Sequence, residues 1–226
     1  MRQYLTRCAR MLLGLAVSAV GVVMTLKANI GLDPWNILHQ GLAMVTGVSF
    51  GAATVIVGTA IIIISVLMGE RIGLSTVANI TICGPIIDCI LALDLIPTQT
   101  SFLPGLLLLL AGLETLTIGT WLYMSAGLGS GPRDAVNVVL ARKTRIPVGV
   151  CRSAIELLVT LTGWLLGGQL GVGTVLAAVG IGFFFQVNFT LLHFDPAGLP
   201  QENLLQTLRI VRGALHKKKA EDEAVQ

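Results

Sequence analysis

A chain of 226 residues with 54% hydrophobic and 12% charged residues and a mean hydropathy of +0.83 has too little polar surface for a soluble domain, where about a quarter of residues are charged. The formal charge of +3 is spread over short connections and a tail, which excludes a nucleic-acid-binding face. Cys8, Cys83, Cys89 and Cys151 form no CxxC pair, so neither a metal site nor a disulfide framework is expected, and they read as small apolar fillers.

In chain order, apolar windows run over 11–28, 51–68, 73–93, 103–126, 148–167 and 171–193. Each approaches the twenty or so residues that a helix needs to cross about 30 Å of hydrocarbon. Membrane strands would show polar–apolar alternation over about ten residues, and the windows do not. The first window follows Arg2, Arg7 and Arg10 like a signal peptide, but no small-x-small cleavage site precedes Gly31 and further spans follow, so it is read as a span. The expected fold is all-α, a polytopic membrane bundle of about six transmembrane helices.

Segments 34–47 and 132–144 lie between windows and are read as short helices that dip into or cap the bundle. The second holds Arg133, Asp134, Asn137, Arg142 and Lys143, a load that a full crossing tolerates poorly. With six spans, one face collects Arg2, Arg7, Arg10, Arg71, Arg133, Arg142, Lys143, Arg145, Arg209, Arg212 and Lys217 to Lys219, and the other only Lys27. The positive-inside rule then puts both termini in the cytoplasm, and the expected location is a bacterial inner membrane. After Pro200, Leu204, Leu205, Leu208, Val211 and Leu215 recur at helical spacing beside Arg209 and Arg212. An amphipathic helix near the headgroups and a solvated tail both fit that pattern.

Sliding the chain against itself by 98 positions matches Gly14 with Gly112, Gly21 with Gly119, Gly31 with Gly129, Pro34 with Pro132, Gly51 with Gly149, Gly73 with Gly171, Thr76 with Thr174 and Gly84 with Gly182. Glycine and proline carry this register, which chance matches in leucine-rich sequence would not produce. The chain therefore divides into a first repeat over 1–98, a second over 99–199 and a basic cytoplasmic tail over 200–226. Three spans per repeat is an odd number, so the halves are inverted relative to each other, a plan common among secondary transporters.

The matching motifs are G-L-D-P-W-N, followed by His39, and G-S-G-P-R-D, followed by Asn137. Proline suits the first turn of a helix and Asp33 suits an N-cap. Each motif places a helix start, which attracts an anionic group, at or inside the membrane boundary. Candidate substrate-binding or gating residues are therefore Asp33, Pro34, Trp35, Asn36 and His39 in the first motif, and Pro132, Arg133, Asp134 and Asn137 in the second. Ionisable residues within spans need a partner or a use. They are Glu114 in the fourth span, Asp88 in the third near Asn79, and Arg152 and Glu156, spaced to pair on one helix face. Glu114 is the leading coupling or substrate-binding candidate; Gln186 and Asn188 are read as possible neighbours of the same cavity.

These motifs, with T-G-V-S-F-G after the first and the Arg152–Glu156 pair after the second, resemble the bacterial YczE/YyaS/YitT-type membrane proteins over about residues 10–195. The resemblance implies a multi-pass inner-membrane protein and names no substrate. The leading expectation is a permease for a small molecule, with an anionic one suited to the helix starts. The alternative is a membrane scaffold or accessory protein that recruits a cytoplasmic partner through its basic tail. No HExxH, GxSxG or paired catalytic aspartates occur, so no enzyme activity and no cofactor are expected. Membrane lipid and the small molecule are the expected partners, with self-association into a homo-oligomer open.

Overall fold

The computed structural model describes residues 2–69, 72–129, 131, 133, 136, 140, 143–145, 148–195, 199 and 201–210, and all its regular elements are helices. They are α1 (Arg2–Ala28), α2 (Pro34–Thr46), α3 (Phe50–Leu67), α4 (Leu74–Leu93), α5 (Phe102–Met124), α6 (Val148–Leu165) and α7 (Val172–Leu191). Residues 204–210 form a further short helix, and Arg133, Val136, Leu140, Lys143 and Thr144 are helical between α5 and α6. Among the described residues five helices, α1, α3, α4, α5 and α7, are long and apolar enough to cross a membrane. The remaining window, 148–167, holds α6, of 18 residues, as long as α3. Leu107, Leu157 and Val179 remain exposed on the outside, as hydrocarbon rather than water would have them. The chain is a polytopic membrane helix bundle.

Local chemistry sets the helix boundaries. Asp33 caps α2 by accepting from the Asn36 N–H, Pro34 takes the first turn, and Gly47, at φ +74°, ends the helix with its N–H on the Ala43 carbonyl. Ser49 caps α3 through the Ala52 N–H. The first helix begins well before its apolar window. At 1.5 Å per residue its 27 residues reach about 40 Å, roughly 10 Å beyond the hydrocarbon. That extension is held by Arg7, which donates to the Ala126 and Gly127 carbonyls and pairs with Glu202.

Two ends of the bundle are thereby defined. At one, Arg7 meets the end of α5 and the segment after α7, where the Glu202 N–H donates to the Gly127 carbonyl and the Leu204 N–H to Ile72. At the other, Lys27 pairs with Asp94, Asn29 donates to the Gln99 carbonyl, and Gln169 donates to Asn29. The start of the tail is thus docked on the bundle rather than solvated. Its helix buries Thr207 and exposes Leu205, Leu208 and Ile210. Val211 and Leu215 lie outside the described residues.

A glycine-lined seam joins α1 to α5. A Cβ on Gly14 would lie 2.7 Å from the Gly119 carbonyl oxygen, and one on Gly21 would lie 2.8 Å from that of Gly112. Positions 98 apart also share backbone conformation. Left-handed φ values occur at Asn29 and Gly127 (57° and 67°), Gly31 and Gly129 (122° and 124°), Gly47 and Arg145 (74° and 61°), and Gly69 and Gly167 (88° and 95°). Thr76 and Thr174 each accept from the N–H of the glycine three residues earlier, Gly73 and Gly171. Gly73 packs on Gly129, and Gly171 on Gly31.

Candidate functional site

The capped start of α2 faces a cavity of about 160 Å³ in the middle of the bundle. Asp33, Pro34, Trp35 and Asn36 come to it from α2 and its cap, and Gly131 and Arg133 from the second motif. The two motifs, 98 residues apart, therefore meet on one cavity. Arg133 Nη1 lies 3.9 Å from Asp33 Oδ2, and its guanidinium sits over the Trp35 ring, 5.1 Å from the centroid. Trp35 and Arg133 are equivalent positions in the 98-residue register. A cation over an indole contributes roughly 0.5–2 kcal/mol, more as water is excluded.

Asp33 is 5% exposed and Asn36 2%. The Asp33 carboxylate accepts from both the backbone N–H and the side-chain Nδ2 of Asn36. Asp33 lies between the spanning segments. His39 lies behind this cap rather than on the cavity wall, with Nδ1 3.3 Å from both Asn36 Oδ1 and Thr54 Oγ1 and its ring edge-on to Phe50. It fixes Asn36, which fixes Asp33.

From α6, Arg152 and Glu156 both line the cavity and pair with each other at 2.9 Å, as their spacing predicts. The remaining polar wall includes Ser18, Thr54, Asn79, Thr120 and Tyr123. Of these only Asn79 is singled out by sequence, since hydroxyls in apolar helices usually bond their own backbone, as Thr54 and Thr120 also do. Pro132, Asp134 and Asn137 lie outside the described residues.

Glu114 and Asp88 are not on the cavity wall. Glu114 accepts from Asn188 Nδ2 at 3.1 Å, and the same amide donates to Thr117 Oγ1 at 2.8 Å. This cluster ties α5 to α7. Asp88 accepts from Ser49 Oγ and, at 2.7 Å, from the Gly51 N–H, so its carboxylate sits on the N-terminus of α3. The helix dipole and free N–H groups favour an anion there. Gly51 and Gly84 touch backbone to backbone beside it. In the 98-residue register Asp88 corresponds to Gln186, which donates to Thr190 Oγ1. Gly84 corresponds to Gly182, around which nothing lies within 4 Å among the described residues. The α3–α4 pair is closed near the Lys27 end, whereas among the described residues Gly182 has no such backbone contact.

Among the described residues no group of three or more His, Cys, Asp or Glu could hold a metal ion.

A family model described as a family of unknown function (DUF6198) matches residues 5–189. An uncharacterized protein of Haemophilus influenzae is 30% identical over 187 residues, covering 81% of this chain and 85% of that protein. The uncharacterized membrane protein YczE of Bacillus subtilis is 29% identical over 177 residues, 76% of this chain and 80% of its own length. The uncharacterized protein YyaS of the same organism is 24% identical over 172 residues, covering 73% and 83%. No solved structure matches.

Proposed function

The chain belongs to this DUF6198 family, and we propose that it is a permease whose small-molecule substrate binds where the two motifs meet. The observation that carries this reading is the meeting of Arg133 with Asp33 and Trp35 on a cavity that four charged side chains line. Intramembrane charge that faces a cavity is costly unless it is used. Two inverted repeats, 1–98 and 99–199, are supported by paired left-handed residues whose side chains differ, Asn29 with Gly127 and Gly47 with Arg145.

Inverted repeats allow one half to close while the other opens. Asp88, on the N-terminus of α3, latches the α3–α4 pair near the Lys27 end. The cavity wall also takes Arg152 and Glu156 from the first half of α6 and Phe185 from the second half of α7, towards the Arg7 end. With the arginine-rich face assigned to the cytoplasm of a bacterial inner membrane, this reading makes the latched Lys27 end the outer gate.

The test is flux into proteoliposomes of a solute selected by thermal-shift screening. Asp33→Ala and Arg133→Ala should each abolish it, while Glu114→Gln, off the cavity, should retain it. Wild-type flux in both cavity variants would refute the assignment. The accessory-protein alternative rests on the basic residues after 210. It predicts that removing 211–226 abolishes the cellular phenotype while the cavity variants leave it intact.

A further inference from the structure

The charges around the cavity point to a narrower substrate class than the two helix starts suggest. Among its described residues the wall holds two cations, Arg133 and Arg152, and two anions, Asp33 and Glu156. Arg152 and Glu156 neutralise each other at 2.9 Å. Asp33 and Arg133 do not clasp: their nearest approach is 3.9 Å, beyond hydrogen-bond distance. The carboxylate is oriented by Asn36 and the guanidinium rests on Trp35, so each is held by a neighbour of its own. The guanidinium has five donors, none of which lies within hydrogen-bond distance of Asp33. The positive end of α2 is already occupied by Asp33, so no free anion site remains at that helix start.

Building on the cavity as the substrate site, the geometry points to a small zwitterion, its carboxylate on the Arg133 fork and its ammonium on Asp33. A monoanion or monocation would add net charge to a wall whose described charges balance, which is costly, whereas a zwitterion adds none. At about 160 Å³ the space is below the roughly 300 Å³ at which sites for drug-sized ligands begin. Ala19, Val22, Leu116 and Phe185 are among the apolar residues of the wall and suit a short apolar remainder. Solutes of this class are α-amino acids with small side chains and their N-methylated betaines.

The experiment is thermal unfolding of the purified full chain in detergent with glycine, alanine and glycine betaine as zwitterions, acetate as monoanion and ethylamine as monocation. At about one hundred times Kd, at least one zwitterion should raise Tm by roughly 5–10 °C, with acetate and ethylamine inert. Asp33→Asn should lose the zwitterion response and gain one to acetate, because Arg133 is then uncompensated. Arg133→Gln should do the reverse and respond to ethylamine. These gains of response show that the variants are folded. No shift with any zwitterion, or a wild-type shift with acetate or ethylamine alone, overturns the proposal. If acetate binds and is carried into proteoliposomes, the permease reading stands and the zwitterion class falls. If a zwitterion binds with the expected charge dependence and no flux follows, the class stands and transport falls.

Discussion

Replacing Gly119 with alanine adds one methyl group to the α1–α5 seam. Its Cβ would lie 2.5 Å from the Ser18 nitrogen and 2.8 Å from the Gly14 carbonyl oxygen, where carbon and oxygen rest at about 3.3 Å or more. Both atoms are backbone within a helix and cannot move alone, so α1 must withdraw from α5 by at least half an ångström. Overpacking of this kind costs about 1–3 kcal/mol and occasionally more, while the gain in helix propensity returns at most about 1 kcal/mol. A net loss of about 1–2 kcal/mol lowers Tm by roughly 2–8 °C in a chain of this size. The assay is scanning fluorimetry in mild detergent, with Gly182→Ala as control. Gly182 is a helical glycine with no described neighbour within 4 Å, so its alanine variant should be neutral or slightly more stable. If Gly119→Ala and Gly182→Ala shift Tm alike, the close seam is not what holds these helices together.

Gly182→Leu should fold and bind substrate but stop flux in proteoliposomes, because closing the α6–α7 pair as Gly51 and Gly84 close α3–α4 requires that space; unchanged flux would refute the gate. Asp88→Ala leaves the Gly51 N–H without its acceptor and should cost about 1–3 kcal/mol; it should also raise labelling, from the Lys27 side, of the cavity-lining Cys83, in a variant with the other cysteines replaced, and unchanged labelling would rule out a latch. Gly129→Ala meets φ +124° and the Gly73 Cα at 2.6 Å together and should be destabilised at least as much as Gly119→Ala, read by the same fluorimetry.

The spans and the short α2 were legible in the sequence because apolar length and the Asp33–Pro34 helix start act locally. The start of α1 was not, since Arg7, ahead of its apolar window, is held by the Ala126 and Gly127 carbonyls, more than a hundred positions away. Arg152 and Glu156 could be paired from spacing alone. Glu114 and Asp88 could only be flagged, because an acidic residue in an apolar run reads the same whether it faces a cavity, a neighbouring helix end or an amide such as Asn188. Sequence identity also understated the register: Gly47 and Arg145 differ in every chemical property but share a left-handed backbone. Asp33 and Arg133 carried a usable signal, opposite charges within matching motifs, but their meeting depends on packing between positions a hundred residues apart.

The α1–α5 seam also sets a schedule for synthesis. Gly14 and Gly21 have no partner until Gly112 and Gly119 have been made, about a hundred residues later, which at about 5–20 residues per second is roughly 5–20 s of translation. Throughout that interval α1 sits in the bilayer with a glycine groove facing lipid, and α3 and α4 must insert without the contact that later holds the bundle together. Variants that crowd the groove should therefore reduce the amount of protein assembled in cells as well as the stability of the protein that is purified.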